Sequence, residues 1–177
     1  YGLSFFELLK IRFDSSNFGY VGLFGIYILI VYSYLSNLII AHTELHNLAI
    51  LFVGLILFTF SIKKKYHEYK KEIIFTLLVF ILLFCALFQF KNHDDFSYYH
   101  FPYTYYLTQQ SFYLGVGQFN HGFRTPSSIF YINSLFYLPF AKFYLFNFLF
   151  IFILGFANII LLKKVHNYFK FLKNKNI

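Results

Sequence analysis

The chain has 177 residues, of which 59% are hydrophobic and 12% charged, and it carries a net charge of +8. Charged residues make up about a quarter of an ordinary soluble domain, so this composition excludes that class and predicts an integral membrane protein. The basic residues stand between apolar runs, which argues against nucleic acid as a partner and favours membrane lipid beside the basic loops.

The first residues, 1–13, place Leu3, Phe6, Leu9 and Phe13 at helical spacing. This spacing indicates an amphipathic helix that lies at the membrane interface or against a helix bundle. The fraying tail of a truncated helix is an equally good interpretation. Because the chain contains no Met, not even at its first position, we expect a fragment of a longer protein.

Three apolar runs follow, and we interpret each as a transmembrane helix: 18–40, 47–62 and 73–90. About 20 apolar residues suffice to cross the hydrocarbon of a bilayer, and the first run has 23 residues without a charge. The third run contains Cys85, the single cysteine of the chain. A disulfide within the chain is therefore excluded, and a cysteine-based metal site is disfavoured.

The distribution of Lys and Arg orients these spans, because loops rich in basic residues stay in the cytoplasm. Loop 63–72 has five Lys and is predicted to be cytoplasmic, whereas loop 41–47 has neither Lys nor Arg and is predicted to lie outside. Lys10 and Arg12 then lie inside. The segment that follows the third span must emerge on the outer face.

That segment, 91–126, is the one long polar stretch, and we interpret it as an outer loop. Loops longer than about 12–15 residues are usually functional or disordered, and the many Tyr and Phe residues here argue against disorder. We expect short interfacial helices, roughly over 98–112. Gly115 and Gly117 are expected to end that helix.

The next apolar stretch is divided by Pro139 and Lys142. We prefer to interpret it as a hairpin of a short fourth span, 127–140, and a fifth span, 143–162. The hairpin places the Lys-rich tail outside, against the charge rule. In the alternative, 127–140 dips into the membrane and returns, and the tail lies inside.

Taken together, the runs predict an all-α, polytopic transmembrane helical bundle of about five spans, because in lipid every backbone group needs a partner within the protein. The range is four to six spans. The whole chain is predicted to form a single transmembrane domain with short interfacial helices in its long outer loop.

Asp94 and Asp95 are the main candidates for chemistry, because they are the only acidic residues after Glu72. An acidic pair on the outer face can supply a general base and a ligand for a cation. Their different directions on a regular backbone favour two distinct roles. The alternative is that they cap a helix that begins at Phe96, since Asp is a favoured N-cap residue.

Other polar residues surround the acidic pair in sequence. Arg124 can bind a phosphate bidentately, or it can pair with a lipid headgroup or with Asp94. A metal site of His93, Asp94 and His100 is conceivable, although histidines at an interface more often serve as polar ends of packed helices. We assign no role to the histidines at 42, 46, 67 and 166.

Two consecutive stretches carry a resemblance, HDDFSYYHFPYTYYL and GVGQFNHGFRTPSSIFYINSLFYLPF. They resemble the first outer loop of GT-C-type membrane glycosyltransferases, and most closely a bacterial multi-span group of unknown role. That group has an acidic pair followed by Tyr-His-x-Pro, a Gly-rich turn, an Asn, an Arg and a Ser pair that opens the next span. The matching positions are Asp94-Asp95, 99–102, Gly115, Gly117, Asn120, Arg124 and Ser127-Ser128.

The resemblance implies a glycosyltransferase that takes its sugar from a polyprenyl-phosphate lipid on the outer face of the bacterial inner membrane. It implies catalytic roles for Asp94, as general base, and for Asp95, which would position the acceptor or a divalent cation. Substrate-binding roles would fall to Tyr99, His100 and Asn120, with Arg124 on the lipid phosphate. GT-C enzymes usually have more spans, and usually one span before the acidic loop.

The second interpretation is a non-catalytic membrane subunit or scaffold of polysaccharide assembly or export. It rests on the absence of charged residues from the first three spans. Because carriers and channels for polar solutes usually need polar or ionisable groups within the membrane, an ion-coupled carrier or a channel is the least favoured class.

Overall fold

A computed structural model describes residues 1–11, 18–63, 65–85 and 94–175 of the chain. The features predicted at Arg12, Phe13 and His93, and the end of the predicted third span beyond Cys85, lie outside these residues. Seven α-helices make up most of the described chain, which confirms the all-α prediction. They are α1 (Gly2–Leu8), α2 (Phe18–Asn37), α3 (Glu44–Lys63), α4 (Tyr66–Phe84), α5 (Phe101–Gln109), α6 (Ser128–Ser134) and α7 (Phe148–Lys175).

Three segments of the described chain are helical, long and apolar enough to cross a membrane: α2, α3 and the segment Phe143–Lys175, which contains α7. Their length matches the roughly 20 residues that the hydrocarbon requires. The described residues thus have the helices of an integral membrane protein with several spans. The first two turns of α4 are charged, and its uncharged part begins at Ile73.

Helix α1 packs against the bundle, which is one of the two positions predicted for the amphipathic segment. Leu3 is buried in a cluster with Phe18, Val21 and Tyr69. A side chain on Gly2 would overlap the backbone carbonyl of Val21. The close approach of α1 to α2 therefore requires glycine at this position.

Helices α2 and α4 both run antiparallel to α7. Gly22 of α2 lies against the ring of Phe156. Phe84, at the end of α4, contacts Phe148 at the start of α7, with ring centroids 5.8 Å apart, and Glu72 forms an ion pair with Lys163. The second half of α7 therefore lies at the same end of the bundle as the loop 63–72, and we call this end the basic end.

The segment 127–140 does not form the fourth span that we preferred. Its helix, α6, has seven residues and is about 10 Å long at 1.5 Å per residue, a third of the hydrocarbon thickness. The Tyr34 hydroxyl, near the end of α2, donates to the Pro126 carbonyl (3.4 Å), and Lys142 pairs with Glu44 at the start of α3. The segment enters and leaves at the same end of the bundle.

This geometry corrects the predicted hairpin and supports the alternative, in which 127–140 dips in and returns. Protein surrounds the helical part of this segment, because the residues from Phe130 to Leu135 are all buried. The Lys-rich tail then lies at the basic end, in agreement with the charge rule.

The residues 94–145 form a cap on the other end of the bundle. A continuous helical stretch runs from Asp94 through a π-turn (Phe96–His100) into α5, and so covers most of the helix predicted over 98–112. Short 3-10 turns follow at Val116–Gln118, His121–Arg124 and Phe143–Leu145. Aromatic packing between α5 and α6 holds the cap together, with Tyr103, Leu107, Phe130 and Tyr131 at its centre.

Candidate functional site

The acidic pair lies at the start of the helical stretch of the cap. Asp94 is exposed and Asp95 is half-buried. The Ser97 hydroxyl donates to the backbone carbonyl of Asp94 at 3.2 Å. Asp95 has helical backbone angles, and its side chain makes no capping hydrogen bond to the π-turn. The structure therefore does not give Asp95 the role of N-cap that was the alternative interpretation.

The π-turn follows the acidic pair directly. The Phe101 N–H donates to the carbonyl of Phe96, five residues earlier, instead of four as in an α-helix. The wider turn brings the two rings to a centroid distance of 6.0 Å. Single π-turns inside helices occur frequently at functional sites, and this one separates the acidic pair from α5.

Tyr99 of the π-turn contacts the turn that carries Arg124. A side chain on Gly122 would overlap Tyr99, so this contact requires glycine. The Asn120 carboxamide oxygen accepts from the Gly122 N–H at 2.8 Å and holds the 3-10 turn. Asn120, which was predicted to bind substrate, thus positions the glycine that meets Tyr99.

Arg124 is exposed at the end of the same turn. Its Nε donates to the Gly117 carbonyl at 3.3 Å, and this hydrogen bond holds the guanidinium group beside the Gly117 backbone. His100 packs its ring on Tyr99 (4.4 Å between centroids) and on Phe130 (5.1 Å). The fold therefore brings together Tyr99, His100 and the turn of Asn120 and Arg124, one to two helical turns from the acidic pair.

The described residues do not assemble a metal site. No group of three or more His, Cys, Asp or Glu side chains among them lies close enough to hold a metal ion. His93, a member of the conceivable site with Asp94 and His100, lies outside the described residues.

A polar cluster beneath the cap was missed by sequence reasoning. His42 lies in the loop between α2 and α3 and is fully buried. Its Nδ1 lies 2.6 Å from the Ser134 hydroxyl, and its Nε2 lies 2.9 Å from the Ser36 hydroxyl. Because Ser134 donates its own proton to the Tyr131 carbonyl, Nδ1 of His42 is the donor to the Ser134 hydroxyl. Burial, and then repulsion from the neighbouring histidine, lower the pKa of His42 to about 3.

Asn47 and His46 extend this cluster at the start of α3. The Asn47 amide nitrogen lies within 2.8–3.0 Å of the carbonyl oxygens of His42, Ser134 and Tyr137. Its carboxamide oxygen accepts from His46 Nδ1 at 2.9 Å, and the Tyr32 hydroxyl lies 2.8 Å from His46 Nε2. These bonds fasten the end of α6 to α3.

The sequence did contain a signal for this cluster. Asn37, His42 and Asn47 stand five residues apart across the turn between two apolar runs. Sequence position alone leaves polar residues at such a turn free to face the headgroups. In the structure each of the three is at most 1% exposed, because the cap covers the turn.

Comparison with known proteins assigns the chain to no family. No protein-family model, no curated protein and no solved structure matches the chain.

Proposed function

We propose that the chain is part of a GT-C-like membrane glycosyltransferase that uses a polyprenyl-phosphate-linked sugar on the outer face of a bacterial inner membrane. The supporting observation is the placement of an exposed acid and an exposed arginine on two touching elements of the cap. Asp94 begins the helical stretch, Tyr99 of that stretch meets Gly122, and Arg124 is two residues further on.

In this proposal the Asp94 carboxylate accepts the proton of an acceptor hydroxyl. The acceptor oxygen then attacks the anomeric carbon of the sugar, and the bond from that carbon to the phosphate oxygen breaks. The polyprenyl phosphate leaves with the electron pair, and Arg124 stabilises its charge by paired hydrogen bonds. Asp95 positions the acceptor or a divalent cation, and Tyr99 and His100 shape the acceptor site.

The test is the surface glycan of the native host, compared between wild type, a deletion strain and the full-length gene carrying Asp94→Asn. Removal of a general base typically costs a factor of about 10²–10⁴ in rate. We therefore expect the Asp94→Asn glycans to match the deletion at a normal protein level. Glu68→Gln is the matched control, because Glu68 is an exposed acid at the basic end, and it should leave the glycans unchanged.

The second candidate, a non-catalytic subunit of polysaccharide assembly, is favoured by the exposure of α3. Only 11% of its apolar stretch is buried, so most of its surface is free to contact lipid or a larger partner. The same experiment separates the two candidates. A deletion that alters the glycans, combined with an Asp94→Asn variant that does not, would assign the protein to assembly and refute the catalytic role.

A further inference from the structure

A pocket, which we call the π-pocket, lies between the π-turn, α6 and the start of α7. It encloses about 90 Å³. Aromatic rings make up its walls: Phe96, Phe101, Phe130, Phe146 and Phe150. Five polar side chains also line it: His100, Thr104, Ser127, Asn133 and Asn147. A mostly apolar pocket with a few convergent polar groups is the usual form of a small-molecule site.

Asn133 gives this pocket an unsatisfied hydrogen-bond acceptor. The residue is 5% exposed, and the described residues offer its carboxamide oxygen no hydrogen bond. Leaving a buried acceptor unpaired is costly, so such an atom calls for an external partner. That external partner must donate a hydrogen bond to the Asn133 oxygen. It can form a second hydrogen bond with the hydroxyl of Thr104, a buried residue that lines the same pocket.

The lining residues also select against charge. Among the described residues that line the pocket there is no Asp, Glu, Lys or Arg. Because burying an ion without a partner is unfavourable, a neutral donor is preferred over an ammonium or a phosphate. A hydroxyl satisfies these requirements, since it donates to Asn133 and accepts from other groups.

The π-turn is the feature that shapes the pocket. Its five-residue hydrogen bond places Phe96 beside Phe101, and both rings line the pocket together with His100. Asn147 and Phe150 are exposed, so the mouth lies at the start of α7. At about 30 Å³ per water molecule, the enclosed space admits one edge of a sugar ring with its hydroxyl groups.

We propose that the π-pocket binds the hydroxyl-bearing edge of a neutral sugar, with Asn133 and Thr104 as its hydrogen-bonding residues. The inference deepens the proposed function, since it names the sugar-binding subsite beside the acidic pair. It does not depend on Asp94 acting as a base. Binding and transfer can therefore fail separately.

The test is saturation-transfer NMR on the full chain in nanodiscs, with the methyl glycosides of glucose, galactose and mannose as probes. At least one glycoside should bind, and Thr104→Val and Asn133→Leu should each weaken its binding tenfold or more. Thr59→Val is the matched control, because Thr59 lies on the exposed face of α3 and its hydroxyl bonds to the Leu55 carbonyl of its own helix. It should leave binding unchanged.

The Asp94→Asn variant keeps this proposal distinct from the catalytic one. It should bind the glycoside as the wild type does, even where transfer is lost. If no glycoside binds, or if Thr104→Val and Asn133→Leu bind as the wild type does, the π-pocket holds only water and the proposal is overturned. Loss of transfer in Asp94→Asn alongside normal binding by both pocket variants would keep the proposed function and remove this subsite.

Discussion

At the scale of single residues, hydrogen bonds from one side chain decide how the cap is attached. Asn47 donates to the carbonyl of Ser134, the last residue of α6, and to that of Tyr137 in the turn that follows. A helix end buried without partners is unfavourable. The amide of Asn47 therefore stabilises the return of the chain after α6. An apolar side chain at this position could not donate these hydrogen bonds.

Asn47→Leu should lower the free energy of unfolding by about 2–4 kcal/mol, because the carbonyls of His42, Ser134 and Tyr137 all lose the hydrogen bond from this amide. Reversible unfolding of the protein in mixed micelles measures the change. Asn158→Leu is the matched control, since the Asn158 amide bonds to the Leu154 carbonyl within its own helix, and its effect should stay below about 1 kcal/mol. Equal effects of the two variants would contradict the role given to Asn47.

His42 predicts a dependence of stability on pH. Its pKa falls to about 3 in the folded state, below its ordinary value of about 6.5. The unfolded chain therefore binds more protons between these values, and the free energy of unfolding should decrease as the pH falls from about 6.5 towards 3.

His42→Gln should flatten this part of the pH profile, because glutamine keeps a polar side chain but does not titrate. The profile is measured by the same unfolding assay at several pH values. A variant that loses stability with acid as steeply as the wild type would show that other groups cause the dependence.

At the scale of helices, the contact of α2 with α7 depends on small residues. Helices in membranes approach closely where glycine or other small side chains meet. A Cβ on Gly19 would lie 2.7 Å from the Phe156 carbonyl oxygen, which belongs to the backbone and cannot rotate away. The two helices would have to separate.

Gly19→Ala is therefore expected to destabilise the bundle by about 1–3 kcal/mol, the usual cost of overpacking. The same unfolding assay measures it. Ala157→Leu, on an exposed position of α7, adds more volume but should change stability by less than about 0.5 kcal/mol. A neutral Gly19→Ala would mean that α2 and α7 do not pack as described.

The helices also show what the sequence could and could not predict. The apolar runs located α2, α3 and α7, since length and hydropathy report directly on the ability to cross lipid. The same runs cannot distinguish a segment buried in lipid from one buried in protein. Segment 127–140 is apolar because α2, α5 and α7 surround α6, and its contacts with His42 and Asn47 join residues far apart in sequence.

The candidate site, like the helices, could be predicted from the sequence only in part. The acidic pair and the Asn120–Arg124 turn stood out by composition, and the fold places Tyr99 against that turn. In the sequence, Asn133 and Thr104 do not stand out, because apolar or aromatic residues surround them. Their importance becomes visible only in the folded chain, where both line the π-pocket together with residues of the π-turn.

At the scale of the whole molecule, charge and packing give one orientation. The chain passes through the bundle so that the basic end holds the loop 63–72 and the tail, while the cap holds the acidic pair at the opposite end. The charge rule then predicts that the basic end lies in the cytoplasm. The candidate site would face outward, where the proposed reaction takes place.

The most direct test of this account is cysteine accessibility in intact cells, with Cys85→Ala as the background and an impermeant maleimide as the reagent. Leu114→Cys and Phe140→Cys, both at exposed positions of the cap, should be labelled from outside. Glu68→Cys and Lys170→Cys, at exposed positions of the basic end, should be labelled only after permeabilisation. Protection of Phe140→Cys together with labelling of Lys170→Cys in intact cells would restore the hairpin and contradict the outward-facing cap.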